Sequence, residues 1–282
     1  MNEKEFKVNK AVKFEEEGKF LHALQVYRQL IADEEYGRFS VIKLANIYEK
    51  LNNIDTSIKL IENFISKNQE DDNVLNYLAN LLLRNNKFEK ALDVLNRVKD
   101  DDTYESSFLK GYAKFHLGDY EHAIKYFNEL IISNTNLELH SDTFLYLAKS
   151  YLNLGNLDKA HEAAEKAEMF YQNNSELLLT LAIIFYNKEM FLHAHEKVRK
   201  ALALSDRNIR VIKWTAKILY KLEEYDRAET FAKEYLEKLP NDSEINLLMG
   251  NILNSLKRED EAKFYYLNSE TFDRSQKKVN VD

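Results

Sequence analysis

The chain has no cysteine, one proline and six glycines in 282 residues. Without thiols it has no disulfide, no thiolate nucleophile and no cysteine-bound zinc, a usage compatible with a reducing compartment. So few prolines and glycines leave little to break helices or shape tight strand connections, while the abundant Leu, Ala, Glu, Lys and Asn favour or tolerate helix. An all-α fold is expected. Long apolar runs are also lacking: the most apolar stretch, Leu177 to Tyr186, is interrupted by Thr180 and falls well short of the roughly 20 residues needed to cross a bilayer. An excess of positive charge is absent too, because 47 acidic residues outweigh 40 basic ones. That balance argues against a general binder of nucleic acid or anionic membrane. The first residues mix acids with bases and carry no signal-type apolar stretch, so a soluble, cytoplasmic protein is expected.

What is present is a period. Two helices approach closely only where small residues face the neighbour, so small residues are the place to search for one. Ala11, Ala45 and Ala79 stand 34 apart, as do Ala148, Ala182, Ala216 and Gly250, with Gly111 between the two series. Twelve residues after each comes a second small residue: Ala23, Ser57, Ala91, Ala123, Ala160, Ala194, Ala228 and Ala262. The two ladders define eight repeats, starting near 4, 38, 72, 104, 141, 175, 209 and 243.

Three residues before the second small residue stands a large apolar one, from Phe20 and Ile54 through Tyr225, replaced only in the eighth repeat by Glu259. Five residues before it lies Gly18, Asn52, Asn86, Gly118 or Gly155, residues that enter the left-handed conformation cheaply and let the backbone reverse. Repeats six to eight carry Glu189, Glu223 and Lys257 there, and their turns are expected to differ in shape. Each unit is read as two antiparallel helices whose apolar faces the next unit completes. Ser141, Ser175 and Ser243 fall where first helices should be capped, and Pro240 falls between helices. The fourth repeat is offset, since Ala91 to Ala123 is 32 residues and Ala123 to Ala160 is 37. Its first helix, around Phe108 to Phe115, admits a register one residue away, and the extra length in Ser133 to His140 reads as a loop insertion rather than a hinge.

The pattern resembles the tetratricopeptide repeat family, with small residues at repeat positions 8 and 20, an aromatic or aliphatic residue at 24 and Pro at 32. Repeat five, Leu147-Ala148-x-x-Tyr151-x-x-x-Gly155-x-x-x-x-Ala160, and repeat seven, ending in Ala228 and Pro240, match best. The resemblance implies a right-handed α-solenoid of antiparallel helix pairs over residues 1–276, followed by a polar tail, 277–282, expected to be disordered. It also implies a concave groove lined by first-helix positions 2, 5, 9, 12 and 13, with 6 nearby. These are Asn46 and Glu49 in repeat two; Asn76, Tyr77 and Asn80 in repeat three; Phe108, Tyr112 and Phe115 in repeat four; Tyr146 and Lys149 in repeat five; and Tyr186 and Asn187 in repeat six. Asn can both donate to and accept from an extended backbone, and Tyr supplies contact area at low entropic cost.

In repeat seven the same positions hold Arg210, Lys213, Trp214, Lys217, Tyr220 and Lys221, four cations flanking two aromatics. Such a patch would attract a carboxylate-rich segment or the C-terminus of a partner protein. The competing reading is a solvated helix face with Trp214 packed on repeat six. The Lys and Asn set by which one family subgroup clamps chaperone C-termini is not present in sequence from any starting repeat, so an adaptor of that type is disfavoured.

His22, His122 and His193 each precede a ladder Ala and lie far apart along the stack, so no metal site is expected. Asp100-Asp101-Asp102 reads as a solvated connection, since no EF-hand spacing follows it. Phosphate-loop, nucleophile-elbow and zinc-protease motifs are missing, and no cofactor is expected. The leading expectation is a non-enzymatic scaffold or adaptor that holds a protein or peptide partner in its groove. The alternative is a structural subunit assembling through its convex face or ends, against which the polar Glu259, Lys263 and Ser269 of the last helix speak.

Overall fold

A computed structural model describes residues 3–99, 104–133, 141–171, 173–205 and 207–279, with residues 272–279 described by their backbone alone. The fold is all-α: among the described residues there are sixteen helices and no strand. Two compact units divide the protein, Met1–Thr135 and Asn136–Asp282. The first contains α1 (Glu3–Glu16), α2 (Phe20–Leu30), α3 (Gly37–Lys50), α4 (Ile54–Lys67), α5 (Asp72–Arg84), α6 (Phe88–Leu95), α7 (Tyr104–His116) and α8 (Tyr120–Ser133). The second contains α9 (Ser141–Asn153), α10 (Leu157–Glu168), α11 (Ser175–Asn187), α12 (Phe191–Leu204), α13 (Ile209–Lys221), α14 (Tyr225–Lys238), α15 (Ser243–Ser255) and α16 (Glu259–Val279). Each unit is a stack of helix hairpins in which every odd-numbered helix packs on the even-numbered helix that follows.

Both ladders lie at the helix contacts. All sixteen of their residues are buried, the alanines to 1% exposure or less. The Ser57 hydroxyl, standing where seven repeats have Ala, donates to the Ala45 carbonyl at 2.9 Å and so satisfies itself inside the contact. In repeat four the register is the one the ladder defines: a Cβ on Gly111 would lie 2.5 Å from Cε1 of the fully buried Phe127. Phe108 packs on the same ring, with centroids 6.0 Å apart.

The large residue three before the second ladder is the first residue of every even-numbered helix, from Phe20 to Glu259. The turns before them correct an expectation. Glu189, Glu223 and Lys257 have φ of 60°, 61° and 62°, the same left-handed region as Asn52, Asn86 and the three turn glycines. Their hydrogen bonds match as well: Met190 N donates to Phe185 O at 2.9 Å, just as Asn156 N donates to Tyr151 O at 2.9 Å around Gly155. The packing of both helices imposes the reversal, and a residue with a Cβ adopts it under strain of about 1–2 kcal/mol.

The helix caps also differ from expectation. The side chains of Asn174 and Asp242, one residue before Ser175 and Ser243, accept from the exposed amides of α11 and α15, and Asp71 and Asn208 do the same for α5 and α13. Ser175 instead donates its hydroxyl to the Ala201 carbonyl at 3.2 Å, tying α11 to α12. Pro240 lies between α14 and α15, its carbonyl accepting from the Asn246 amide at 2.8 Å.

The last helix carries Glu259 and Lys263 at the surface as expected, but Ser269 departs from the expectation. Ser269 is 8% exposed and faces inward, while Phe264 and Leu267 face solvent. α16 is helical through Val279, beyond residue 276. The acidic connection Asp100–Asp102, the insertion at 134–140 and residues 280–282 lie outside the described residues.

Candidate functional site

First helices lie side by side within each unit: α3, α5 and α7 in the first, and α9, α11, α13 and α15 in the second. The groove positions inferred from the repeat register fall on these surfaces, and the two units use them differently.

In the first unit the surface is amide and aromatic. Asn46 and Asn80 are half-buried, and Asn76 is buried with its Oδ1 lacking a hydrogen-bond partner. The Tyr77 hydroxyl is also buried without a hydrogen bond of good geometry, its polar neighbour being the Asn46 amide. Burial pushes this phenol up to about 12. Glu49 pairs with Arg84, Nη2 to Oε2 at 3.0 Å, bridging repeats two and three. Tyr77, Phe108 and Tyr112 pack against the core of this unit, and Tyr112 lies 4.4 Å from His116, ring to ring. The repeat-four aromatics therefore serve the interior as well as the surface.

In the second unit the surface is a ladder of opposite charges. Glu176 receives Lys149 at 2.7 Å from one side and Arg210 at 2.8 Å from the other. Glu244 receives Lys213 at 2.6 Å and Lys217 at 2.5 Å. Asp242 caps α15 and also takes Lys213 at 3.0 Å and the Tyr235 hydroxyl at 2.7 Å. Burial pushes the Glu176 and Glu244 carboxyls up, but the lysine and arginine partners outweigh it and hold both below the usual carboxylate range. Lys149 moves down, because its own burial outweighs the pairing. The sequence grouped the cations of repeat seven into a basic patch. The structure interleaves Arg210, Lys213 and Lys217 with acids from repeats six and eight. Those acids carried a signal in the sequence: Lys149 to Glu176 and Lys217 to Glu244 are each 27 residues apart, the distance from position 9 of one repeat to position 2 of the next.

Within this ladder sits an aromatic cluster. The Tyr186 and Trp214 rings meet edge to face with centroids 5.3 Å apart. The Lys217 ammonium lies 4.0 Å from the Trp214 centroid and 5.5 Å from that of Tyr186. Lys221 is exposed, lies 6.0 Å from the Phe191 centroid and makes no ion pair among the described residues. Tyr220 is half-buried and leans on Tyr225, with centroids 5.8 Å apart. Tyr146 lies under Lys149, 4.9 Å away.

His22 lies beside Phe14, and His161 and His193 both lie against Phe185. His116 stacks flat on Phe88 at 4.8 Å, and His122 Nδ1 meets Asp119 at 2.7 Å. Among the described residues no group of three or more metal-ligating side chains converges, and no helix is long and apolar enough to cross a membrane.

With this geometry in hand, comparison with known proteins gives concordant matches. A family model described as "Anaphase-promoting complex, cyclosome, subunit 3" matches residues 50–130, and two described as "Tetratricopeptide repeat" match residues 108–175 and 243–275. The BBSome complex member BBS4 of Bos taurus is 27% identical over 151 residues, covering 52% of this chain and 28% of the relative. A protein in the crystal structure of the APC/C hetero-tetramer Cut9-Hcn1 superposes with a TM-score of 0.70 at 15% identity, over 90% of this chain and 50% of that one. TTC0263, a thermophilic TPR protein of Thermus thermophilus, superposes with a TM-score of 0.52 at 18% identity, over 65% of this chain and 99% of that one. The chain thus spans half or less of the length of BBS4 and of the matched Cut9-Hcn1 protein. At these identities the two structural likenesses speak to fold.

Proposed function

Because this chain is a member of the tetratricopeptide-repeat family, we propose that it is a non-enzymatic scaffold holding an unstructured segment of a partner protein along the first helices of its repeats. The observation that carries this reading is the Tyr186, Trp214 and Lys217 cluster, with Lys221 one turn beyond Lys217. Two edge-to-face rings supply a rigid apolar platform at little entropic expense. Lys221 supplies a charge for a carboxylate, and Lys217 can exchange Glu244 for one from the partner.

The proposed segment therefore joins an acidic group to an aromatic or large aliphatic side chain. In the first unit, Asn46, Asn76, Tyr77 and Asn80 offer amides and a hydroxyl to an extended backbone. Leaving the buried Asn76 oxygen without a hydrogen-bond partner costs about 1–3 kcal/mol. The matched proteins named as members of complexes, BBS4 and the Cut9-Hcn1 tetramer, support the general role of assembling with other proteins. A cysteine-free protein needs no oxidising compartment to fold, and the proposed setting is the cytoplasm.

A displayed library of unstructured peptides, selected on the whole protein, is the test. It should return segments combining an acidic with a large apolar residue, and calorimetry should give a Kd of roughly 1–100 µM. The Trp214→Ala, Lys221→Glu double variant should bind them at least about tenfold more weakly. Selected peptides that bind this variant as well as they bind the wild type would remove the surface from any function.

A further inference from the structure

The second helices turn a stripe outward whose two central positions are 22 and 25 of the repeat, position 22 being exposed in all eight repeats and position 25 in seven. At the two central positions the first seven repeats carry only polar side chains, from Gln25 and Arg28 in the first to Thr230 and Lys233 in the seventh. The eighth repeat alone places Phe264 and Leu267 there, 60% and 64% exposed. Three residues apart on one helix, they share a face. Packing by a following repeat would not cover them. Gln25, Lys59, Thr230 and Lys233 occupy the same positions and are exposed with a following repeat packed in place, so this face is not one a neighbouring repeat covers.

We propose that the outer face of α16 is a self-association surface, covered in solution by α16 of a second copy of this protein packed antiparallel about a two-fold axis. The charge pattern around the apolar pair selects this occupant. Lys263 and Glu270 are both exposed, two helical turns apart, on the same edge of the stripe. A two-fold axis at the middle of the helix reverses its direction, sets Phe264 against Leu267 of the other copy, and brings Lys263 opposite Glu270 twice. On the other edge Glu261 comes opposite Asn268, a carboxylate facing an amide that can donate to it. An isologous contact needs this self-complementarity, with residue i meeting j and j meeting i. The pair that Lys263 makes within its own helix, to Asp260 at 2.9 Å, joins two well-exposed groups and yields readily to an intermolecular one.

Two large apolar side chains per copy cover far less than the roughly 1,600 Å² of a standard interface, so the dimer is weak. It does not depend on the first-helix surface.

Sedimentation velocity of the whole protein over about 10 µM to 1 mM tests the proposal, and the wild type should shift from monomer towards dimer within that range. Phe264→Glu with Leu267→Lys, both at exposed helical positions, should stay monomeric throughout with unchanged helicity by circular dichroism. Lys263→Glu alone should weaken association several-fold, and Lys263→Glu with Glu270→Lys should restore it. A wild type monomeric to the top of the range overturns the proposal. So does association that survives in the Phe264 and Leu267 double variant, or a charge-swapped pair no better than its single parent.

Discussion

Lys217 lies 4.0 Å from the centroid of the Trp214 indole, and its ammonium is held there by the Glu244 carboxylate at 2.5 Å. The contact joins repeats seven and eight and decides what charge the first-helix surface shows. With Glu244 in place, Lys213 and Lys217 are both paired with acids, and under the proposed function recognition would rest on ring faces and on Lys221.

Replacing Glu244 by Gln should therefore unmask the patch. Affinity for an acidic, aromatic-containing peptide should rise several-fold at low salt, and the gain should shrink as ionic strength is raised. Fluorescence of Trp214, the only tryptophan in the sequence, reports it directly. Stability should move the other way. The Glu244 carboxyl sits below its ordinary range because its lysine partners outweigh burial. The stability it supplies is therefore present above the unfolded value of about 4.3 and is lost as the pH falls through the lower folded value. Urea midpoints of the wild type should exceed those of the variant at pH 7 and converge with them in acid.

The turn residues give a second expectation. Glu189, Glu223 and Lys257 hold φ near 60° with a Cβ, so exchange for Gly should raise stability by about 0.5–1 kcal/mol at each site, the strain relieved being partly offset by the added freedom of the unfolded state. The reverse exchange, Gly155→Ala, places a methyl group where φ is 74° and no atom lies within 4 Å of it, and should destabilise by about 1 kcal/mol through backbone strain alone. Chemical unfolding of the four single variants checks both signs.

The glycines of the first ladder differ from those of the turns. A methyl group at Gly111 would meet the Phe127 ring at 2.5 Å, and one at Gly250 would meet the Tyr266 ring at 2.6 Å. Phe127 is fully buried and cannot give way, whereas Tyr266 is only half-buried, with its hydroxyl tethered to Asn251 at 3.0 Å. Gly111→Ala should therefore cost about 2–3 kcal/mol and Gly250→Ala about 1 kcal/mol. Adding Phe127→Leu to Gly111→Ala should recover part of the loss, a coupling that a double-mutant cycle reads directly.

Much of the architecture was legible because helix packing is periodic and steric. The Ala, Ser and Gly ladders are the residues that let helices touch, and all sixteen are buried. Phe20 through Tyr225 mark the starts of second helices because a large apolar residue anchors each reversal. Three local readings failed. The Glu189, Glu223 and Lys257 turns keep the standard geometry because two packed helices outweigh the preference of one residue. Ser175 and Ser243 are already the first helical residues, so the cap falls to Asn174 and Asp242, whose side chains accept from the amides two or three residues ahead. Repeat seven seemed basic because its cations are neighbours in sequence, whereas their acids arrive from adjacent repeats.

By itself, then, the sequence determined the helix pairs, their number and their register, since these depend on spacing along the backbone. Tertiary structure decided which charges are left without an ion pair among the described residues and which side chains of the last helix face water. Lys217 meets Glu244 only once neighbouring repeats are stacked, and Phe264 faces water while Ser269 is enclosed only once the helices pack, because pairing and burial are set by what lies across a helix contact.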